Sequence, residues 1–149
     1  MSLRDWQKNG WLIEHRTSPE EIKDLLGLVE RDLADCRTPG LSTDWRFSIA
    51  YNAALQTATV ALAASGYRAA REAHHYRIIQ SLAHTITADK DVINQLNRFR
   101  KKRNIGGYER VGTISDMEAD EVFTLAKNLL NDVDQWLRKN HPVLFKKNE

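Results

Sequence analysis

The sequence contains little cysteine, proline or glycine, and it has no long hydrophobic run. Its 149 residues include one cysteine, three prolines and seven glycines. The single cysteine, Cys36, excludes an intramolecular disulfide framework and a cysteine-rich zinc site. No apolar run approaches the about 18 residues that a membrane-spanning helix requires, and the N-terminus lacks the apolar core of a signal peptide. We therefore expect a cytoplasmic protein that does not insert into a membrane.

The histidines are not spaced as metal ligands. His74 and His75 are adjacent, so their side chains diverge by about 100° around a helix. His84 falls roughly on the opposite side of such a helix from His75, and no His-x-x-x-His spacing occurs. A glycine-rich phosphate-binding loop of the P-loop kind is also missing, so any phosphate contact must come from side chains. We expect neither a metal nor another cofactor.

The composition indicates one ordinary globular domain. Hydrophobic residues make up 42% of the chain, charged residues 28%, and the formal net charge is only +2. We assign residues 1–149 to a single domain, with residues 1–17 as an N-terminal arm and residues 140–149 as a polar, frayed tail. Because the overall charge is nearly balanced, any signal for an anionic partner must be local.

Helical periodicity dominates the chain, and no alternating run of strand length is present. Serines at positions 18, 42 and 115 have the character of helix N-caps, and Gly66 is a plausible helix stop. Five helices are predicted. The first starts at Ser18-Pro19, the second runs from Ser42 to Ser65, and the third from about Tyr67 to Ile86. The fourth runs from Thr87 or Asp89 to Arg103, and the fifth starts at Ser115. The second of these is apolar on nearly every side and should be central. The predicted fold is therefore all-α, an antiparallel bundle of about five main helices.

The fourth of these helices ends in a cluster of cations. Phe99 continues its apolar stripe, and four residues later the same stripe reaches Arg103, which should face the interior or a cleft. A buried guanidinium is costly unless it is paired, and its planar fork suits phosphate or carboxylate. Asn104 adds an amide, and Gly106-Gly107 can return Tyr108 over the helix end. These three side chains form the candidate site.

The neighbouring cations have two interpretations. Arg100, Lys101 and Lys102 can be solvated residues that complement the helix dipole, or they can raise the local concentration of an anionic ligand together with Arg110. Two interpretations are also open for Tyr51 and Asn52 on the central helix. In the first, Asn52 forms a core hydrogen bond that fixes the helix register; in the second, both residues contact a ligand.

The stretch Ala50–Gln56 resembles the aromatic, alanine-rich central helix of HEPN domains (higher eukaryotes and prokaryotes nucleotide-binding). The order of the segments fits as well, with Gly66, a helix bearing His74-His75, the Arg103-Asn104 helix end and a final amphipathic helix. The resemblance covers roughly residues 22–137. It implies a small helical bundle that forms a homodimer.

The resemblance also implies a function near RNA or nucleotides. Many HEPN domains are metal-independent endoribonucleases, whereas others bind RNA or nucleotides without cleaving, or pair as toxins with nucleotidyltransferase antitoxins. The family's catalytic motif is an arginine, a polar residue and then a histidine four to six positions after the arginine. Arg103 and Asn104 match its beginning, but Tyr108 stands where the histidine would be.

That departure favours a binding or partner module over a nuclease. A phenol with a pKa of about 10 is a poor general base near neutral pH. The first hypothesis is an RNA- or nucleotide-binding or partner module, in one setting the HEPN component of a toxin–antitoxin pair. The alternative is a metal-independent endoribonuclease in which Arg103 stabilises the phosphate and Asn104 or Tyr108 positions the attacking hydroxyl. A third interpretation is a bundle whose basic corner is only solvated.

Overall fold

The computed structural model describes residues 1–104 and 114–145, and this part of the chain is a helical bundle. Its elements, in chain order, are α1 (Leu3–Lys8), β1 (Leu12–Glu14), α2 (Pro19–Asp35), α3 (Thr43–Ala64), β2 (Tyr67–Ala69), α4 (His74–Ser81), α5 (Lys90–Arg103), α6 (Asp116–Asn140) and a 3-10 helix (Pro142–Phe145). The predicted all-α class is confirmed.

Helix α3 forms the centre of the bundle, as its all-round apolar sequence predicted. Both α6 and α2 pack along it. Its buried residues occur on every side of the helix, including Phe47, Tyr51 and Val60. Many of the others are alanines, whose small side chains let the neighbouring helices approach closely.

The predicted serine caps are all present. Ser18, Ser42 and Ser115 each accept a hydrogen bond from the backbone N–H three residues later. These bonds satisfy amide groups that have no partner within the first helical turn. The helix that follows Ser115 also has the full capping box, in which the Glu118 carboxylate accepts a bond from the Ser115 amide. Local sequence therefore sets the starts of α2, α3 and α6.

The short two-stranded sheet was not anticipated from the sequence. β1 and β2 pair antiparallel, with Leu12 opposite Ala69 and Glu14 opposite Tyr67. Because each strand has three residues, neither is long enough to show an alternating pattern. The N-terminal arm predicted for residues 1–17 therefore holds a short helix and a strand, and Trp6 anchors it in the core.

The helix predicted from about Tyr67 to Ile86 was wrong at both ends. Its first residues pair with β1 as β2, and α4 begins only at His74, after Ala73 in the left-handed region at φ 51°. It ends at Ser81, and Asp89, the second of the two predicted caps, occupies the N-cap of α5. Strand pairing therefore takes priority over the helical periodicity of this segment.

Residues 140–145, the described part of the predicted tail, include a short helix. Residues Pro142–Phe145 form this 3-10 helix, which packs against α2 and α6. Leu144 and Phe145 are half-buried against the core. Across the described residues, no helix is both long and apolar enough to span a membrane.

Candidate anion-binding site

The C-terminal end of α5 carries Arg103 over an aromatic ring of the central helix. The guanidinium carbon lies 5.5 Å from the centroid of the Tyr51 ring, within the range of a cation–π contact. Tyr51 is 1% exposed, whereas Arg103 is half-buried. The helical register that carries Phe99 into the core, where it is fully buried, therefore also directs Arg103 towards α3.

His75 is the third member of this cluster. Its Nδ1 lies 3.4 Å from the Tyr51 hydroxyl oxygen, and the two ring centroids are 6.1 Å apart. His75 occupies the first turn of α4, on the side that leads to the buried Ile78 and Ile79. A phenol, an imidazole and a guanidinium from three different helices therefore meet at one place.

Burial controls the protonation of the two uncharged members. It raises the pKa of Tyr51 to about 12, although the nearby Arg103 and Arg100 act in the opposite direction. Burial also lowers the pKa of His75, and the positive charges of Arg103, His74 and Arg100 lower it further. At neutral pH the cluster therefore holds a phenol that keeps its proton, a neutral imidazole and a fixed positive charge.

The cations beside Arg103 have different surroundings. The Arg100 guanidinium lies 5.4 Å from the centroid of the Tyr76 ring, and its Nε donates a 2.9 Å hydrogen bond to Asn97. Lys101 is exposed to solvent. Lys102 forms an ion pair with Glu118 of α6, and that hydrogen bond lowers the pKa of the Glu118 carboxyl. Arg100 is therefore the second arginine beside the cluster, while Lys102 links α5 to α6.

The remaining predicted catalytic residues are only partly covered by the structure. Asn104 is the exposed C-cap of α5, where its backbone N–H donates to the carbonyls of Arg100 and Lys102. Tyr108 and Arg110 lie outside the described residues. The candidate site is consequently defined by Tyr51, Arg103 and their neighbours on α4 and α5.

Asn52 points away from this cluster and into the contact between α2 and α3. Its Nδ2 donates a 2.9 Å hydrogen bond to the carboxylate of Asp32, which is 6% exposed. Arg31 donates a second, longer bond of 3.3 Å to the same carboxylate. Adjacent residues diverge around a helix, so Tyr51 and Asn52 face different neighbours. This geometry agrees with the core hydrogen bond that was one of the two interpretations of Asn52.

Sequence reasoning missed two of these residues. It tested His75 only against the spacing of metal ligands, although its position three and four residues before Ile78 and Ile79 places it on the inward side of α4. It also missed Asp32, a buried acid beside the apolar stripe of α2 that includes Val29. Both are polar residues on or next to an apolar helix face, which is the signal that could have found them.

The chemistry available to the cluster is recognition of an anion. Guanidinium groups bind phosphate oxygens with two parallel hydrogen bonds. In the part of the chain that the structure describes, no group of three or more histidine, cysteine or acidic side chains could hold a metal ion. In comparisons with known proteins, no family model, no curated protein and no solved structure matches the chain.

Proposed function

We propose that the protein is a HEPN-like module that binds RNA or a nucleotide through the phosphate. The observation that carries this proposal is the position of Arg103, half-buried above the Tyr51 ring and next to a neutral His75. Arg100 adds a second positive charge, close enough to oppose the rise in the pKa of Tyr51 and to add to the lowering of the pKa of His75. A phosphate gains most from such a site because part of the positive charge is already removed from water.

The protonation state of the Tyr51 phenol favours binding over cleavage. With its pKa raised to about 12, Tyr51 keeps its proton and is a poor base near neutral pH. Its hydroxyl is also turned towards His75 rather than outwards, since the two atoms are 3.4 Å apart. Tyr51 therefore supports the site as a rigid, buried platform under Arg103.

The test is a titration of fluorescein-labelled single-stranded RNA, followed by anisotropy at several salt concentrations. We expect Arg103→Ala to weaken binding by about ten- to 100-fold, the equivalent of one charged hydrogen-bonded contact. It should also reduce the salt dependence by about one phosphate contact. The matched control is Arg98→Ala, because Arg98 is an exposed arginine of the same helix that pairs with Glu121.

Equal losses in the two arginine variants would show that only the general positive charge of α5 matters. No RNA binding by the unmodified protein would contradict the RNA part of the proposal. A labelled mononucleotide should be titrated in parallel. If it binds as tightly as RNA and with the same dependence on Arg103, the ligand is a nucleotide.

A metal-independent endoribonuclease is the second candidate, and His75 is the observation that favours it. This sequence has Tyr108 where the family motif has its histidine, but the fold brings the neutral imidazole of His75 into the same cluster as Arg103. In such a reaction the ribose 2′-oxygen bonds to phosphorus, the imidazole accepts the hydroxyl proton, and the 5′-oxygen leaves. Asn104 and Tyr108 keep their proposed positioning roles in this alternative.

Cleavage in the presence of excess chelator separates the two candidates. A nuclease should lose its activity in Arg103→Ala and in His75→Gln, but not in His74→Gln, whose side chain is exposed at the adjacent position. Tyr108→Phe tests the phenol that replaces the motif histidine. RNA binding without any cleavage supports the binding module.

The proposal also covers the oligomeric state, the protein partner and the cellular location. From the resemblance we infer a homodimer, a nucleotidyltransferase-type antitoxin as the protein partner, and a cytoplasmic location. Sedimentation velocity of the full chain tests the dimer. Co-expression with a nucleotidyltransferase encoded next to it, followed by co-purification and intact mass of the protein, tests the toxin–antitoxin setting.

A further inference from the structure

A long groove runs along one side of α6, between this helix and α5. Its first section has a volume of about 450 Å³ and is lined by residues that include Val92, Leu125 and Leu129. A second section of about 430 Å³ shares Val92, Leu129 and Asp132 with the first and continues to Trp136. We refer to the two sections together as the α5–α6 groove.

The groove follows the period of the helix that forms it. On α6 its lining positions recur every three or four residues, from Met117 through Thr124, Asn128 and Asp132 to Trp136. At a rise of 1.5 Å per residue, this stretch is about 28 Å long. Buried Leu125 and Leu129 lie at its base, and Met117 at one end is 70% exposed. Polar side chains, among them Gln135 and Asn140, line much of the second section, so the groove is apolar mainly along its floor. An elongated groove with an apolar floor beside a helix is the shape that accepts an amphipathic helix through side chains spaced three and four residues apart.

The charges along the groove are mostly negative. Its lining includes Asp89, Asp120, Glu121 and Asp132 but a single cation, Lys139. Asp120 is paired with Arg46, and Glu121 with Arg98. Within residues 1–104 and 114–145, no ion pair involves Asp89 or Asp132.

This charge pattern decides between two kinds of occupant. In a symmetric dimer through the groove, the same acids would face each other across the two-fold axis, and the contact would be repulsive. Lysine or arginine at the edge of an incoming helix would instead pair with Asp132 and Asp89, while its apolar face covers Val92 and Leu129. We propose that the α5–α6 groove binds an amphipathic helix of a partner protein whose polar edge carries lysine or arginine.

The probe for the test is a fluorescein-labelled amphipathic peptide of about 18 residues, five helical turns, made of leucine and lysine. A peptide with glutamate in place of every lysine is the charge control, and a leucine/lysine peptide without helical period is the pattern control. Anisotropy titrations use the full chain. We expect the helical leucine/lysine peptide to bind at least about tenfold more tightly than either control.

Two variants of α6 locate the binding. Asn128→Arg places a long cation inside the groove and should weaken binding of the peptide about tenfold. Asn131→Arg makes the same substitution three residues later, at an exposed position that lines neither section of the groove. It should leave the affinity within about twofold. Circular dichroism of both variants confirms that each is folded before it is titrated.

Asp132→Asn then tests the charge separately from the shape. It should weaken binding of the lysine peptide, whereas Asp24→Asn, at an exposed position of α2, should not. Equal effects of Asn128→Arg and Asn131→Arg, or equal binding of the glutamate peptide, would overturn the proposal. A dimer that dissociates only in Asn128→Arg would also overturn it, because a second copy would then cover the groove.

Discussion

Replacing Asn52 with alanine tests whether this residue belongs to the core or to the ligand site. The Asp32 side chain is 8% exposed, and its hydrogen bond from Asn52, at 2.9 Å, is shorter than the 3.3 Å bond from Arg31. The alanine variant leaves a buried carboxylate that depends on Arg31, whose own side chain is 63% exposed. Solvent therefore competes for the Arg31 guanidinium.

The expected loss of stability follows from these contacts. A hydrogen bond to a charged group contributes about 1.5–3 kcal/mol. Alanine recovers roughly 0.5 kcal/mol through its higher helix propensity. The net decrease in the free energy of unfolding should be about 2 kcal/mol, which lowers the melting temperature by about 4–8 °C for a chain of this size.

Urea unfolding followed by far-ultraviolet circular dichroism measures this difference. The control is Gln56→Ala, one turn later on α3, where the side chain is also half-buried and makes no hydrogen bond within the part of the chain that the structure describes. Its effect should stay within about 0.5 kcal/mol. A double-mutant cycle with Asp32→Ala isolates the pair, and the coupling should exceed about 1 kcal/mol because the two groups are in direct contact.

One result would refute the reasoning. If Asn52→Ala keeps the stability of the unmodified protein, its coupling to Asp32 is near zero and RNA binding falls, then Asn52 is a ligand-binding residue. The 2.9 Å hydrogen bond would then contribute nothing measurable to folding. Stability loss with unchanged RNA binding establishes the core role instead.

Three further predictions concern the N-terminal arm and the anion site. Because the folded state lowers the pKa of His75 below 6.5, the unfolded chain binds that proton more tightly, and stability should fall as the pH drops through about 6.5. Urea midpoints at acid and neutral pH should differ less in His75→Gln than in the unmodified protein or in His74→Gln. The Tyr51 phenol should ionise only near pH 12 in an absorbance titration, and Tyr51→Phe should remove this step. Trp11→Ala should cost about 2–3 kcal/mol, since its half-buried ring lies 3.6 Å from a guanidinium of α4, whereas Trp45→Ala, 63% exposed, should change stability by under about 0.5 kcal/mol.

Local signals explain why so much of the fold could be predicted. Ser18, Ser42 and Ser115 cap their helices through atoms three residues away, and the apolar face of each helix repeats within one or two turns. The strands could not be predicted in this way. Leu12 pairs with Ala69, which follows two long helices in the chain. Each strand has only three residues, which is too short for an alternating pattern that would predict the pairing.

The same distinction applies to the candidate site. The register of α5 indicated from Phe99 that Arg103 turns inwards, because both residues belong to one helix. The partners of Arg103 come from elsewhere: Tyr51 from α3 and His75 from α4. The contact between these three side chains depends on how α3, α4 and α5 pack against one another. The periodicity of a single helix gives no information about that packing.

The two-stranded sheet has a consequence for how the molecule opens. Pairing Leu12 with Ala69 closes a loop of about 57 residues, at an entropic cost of roughly 4 kcal/mol, and a ladder of three residues offsets little of it without the helices already in place. The sheet should therefore be a separate unit of local unfolding, with backbone amides that exchange their hydrogens sooner than those of α3. Since β2 leads within a few residues to His74 and His75, a ligand held beside α4 would slow that exchange as far away as the N-terminal strand.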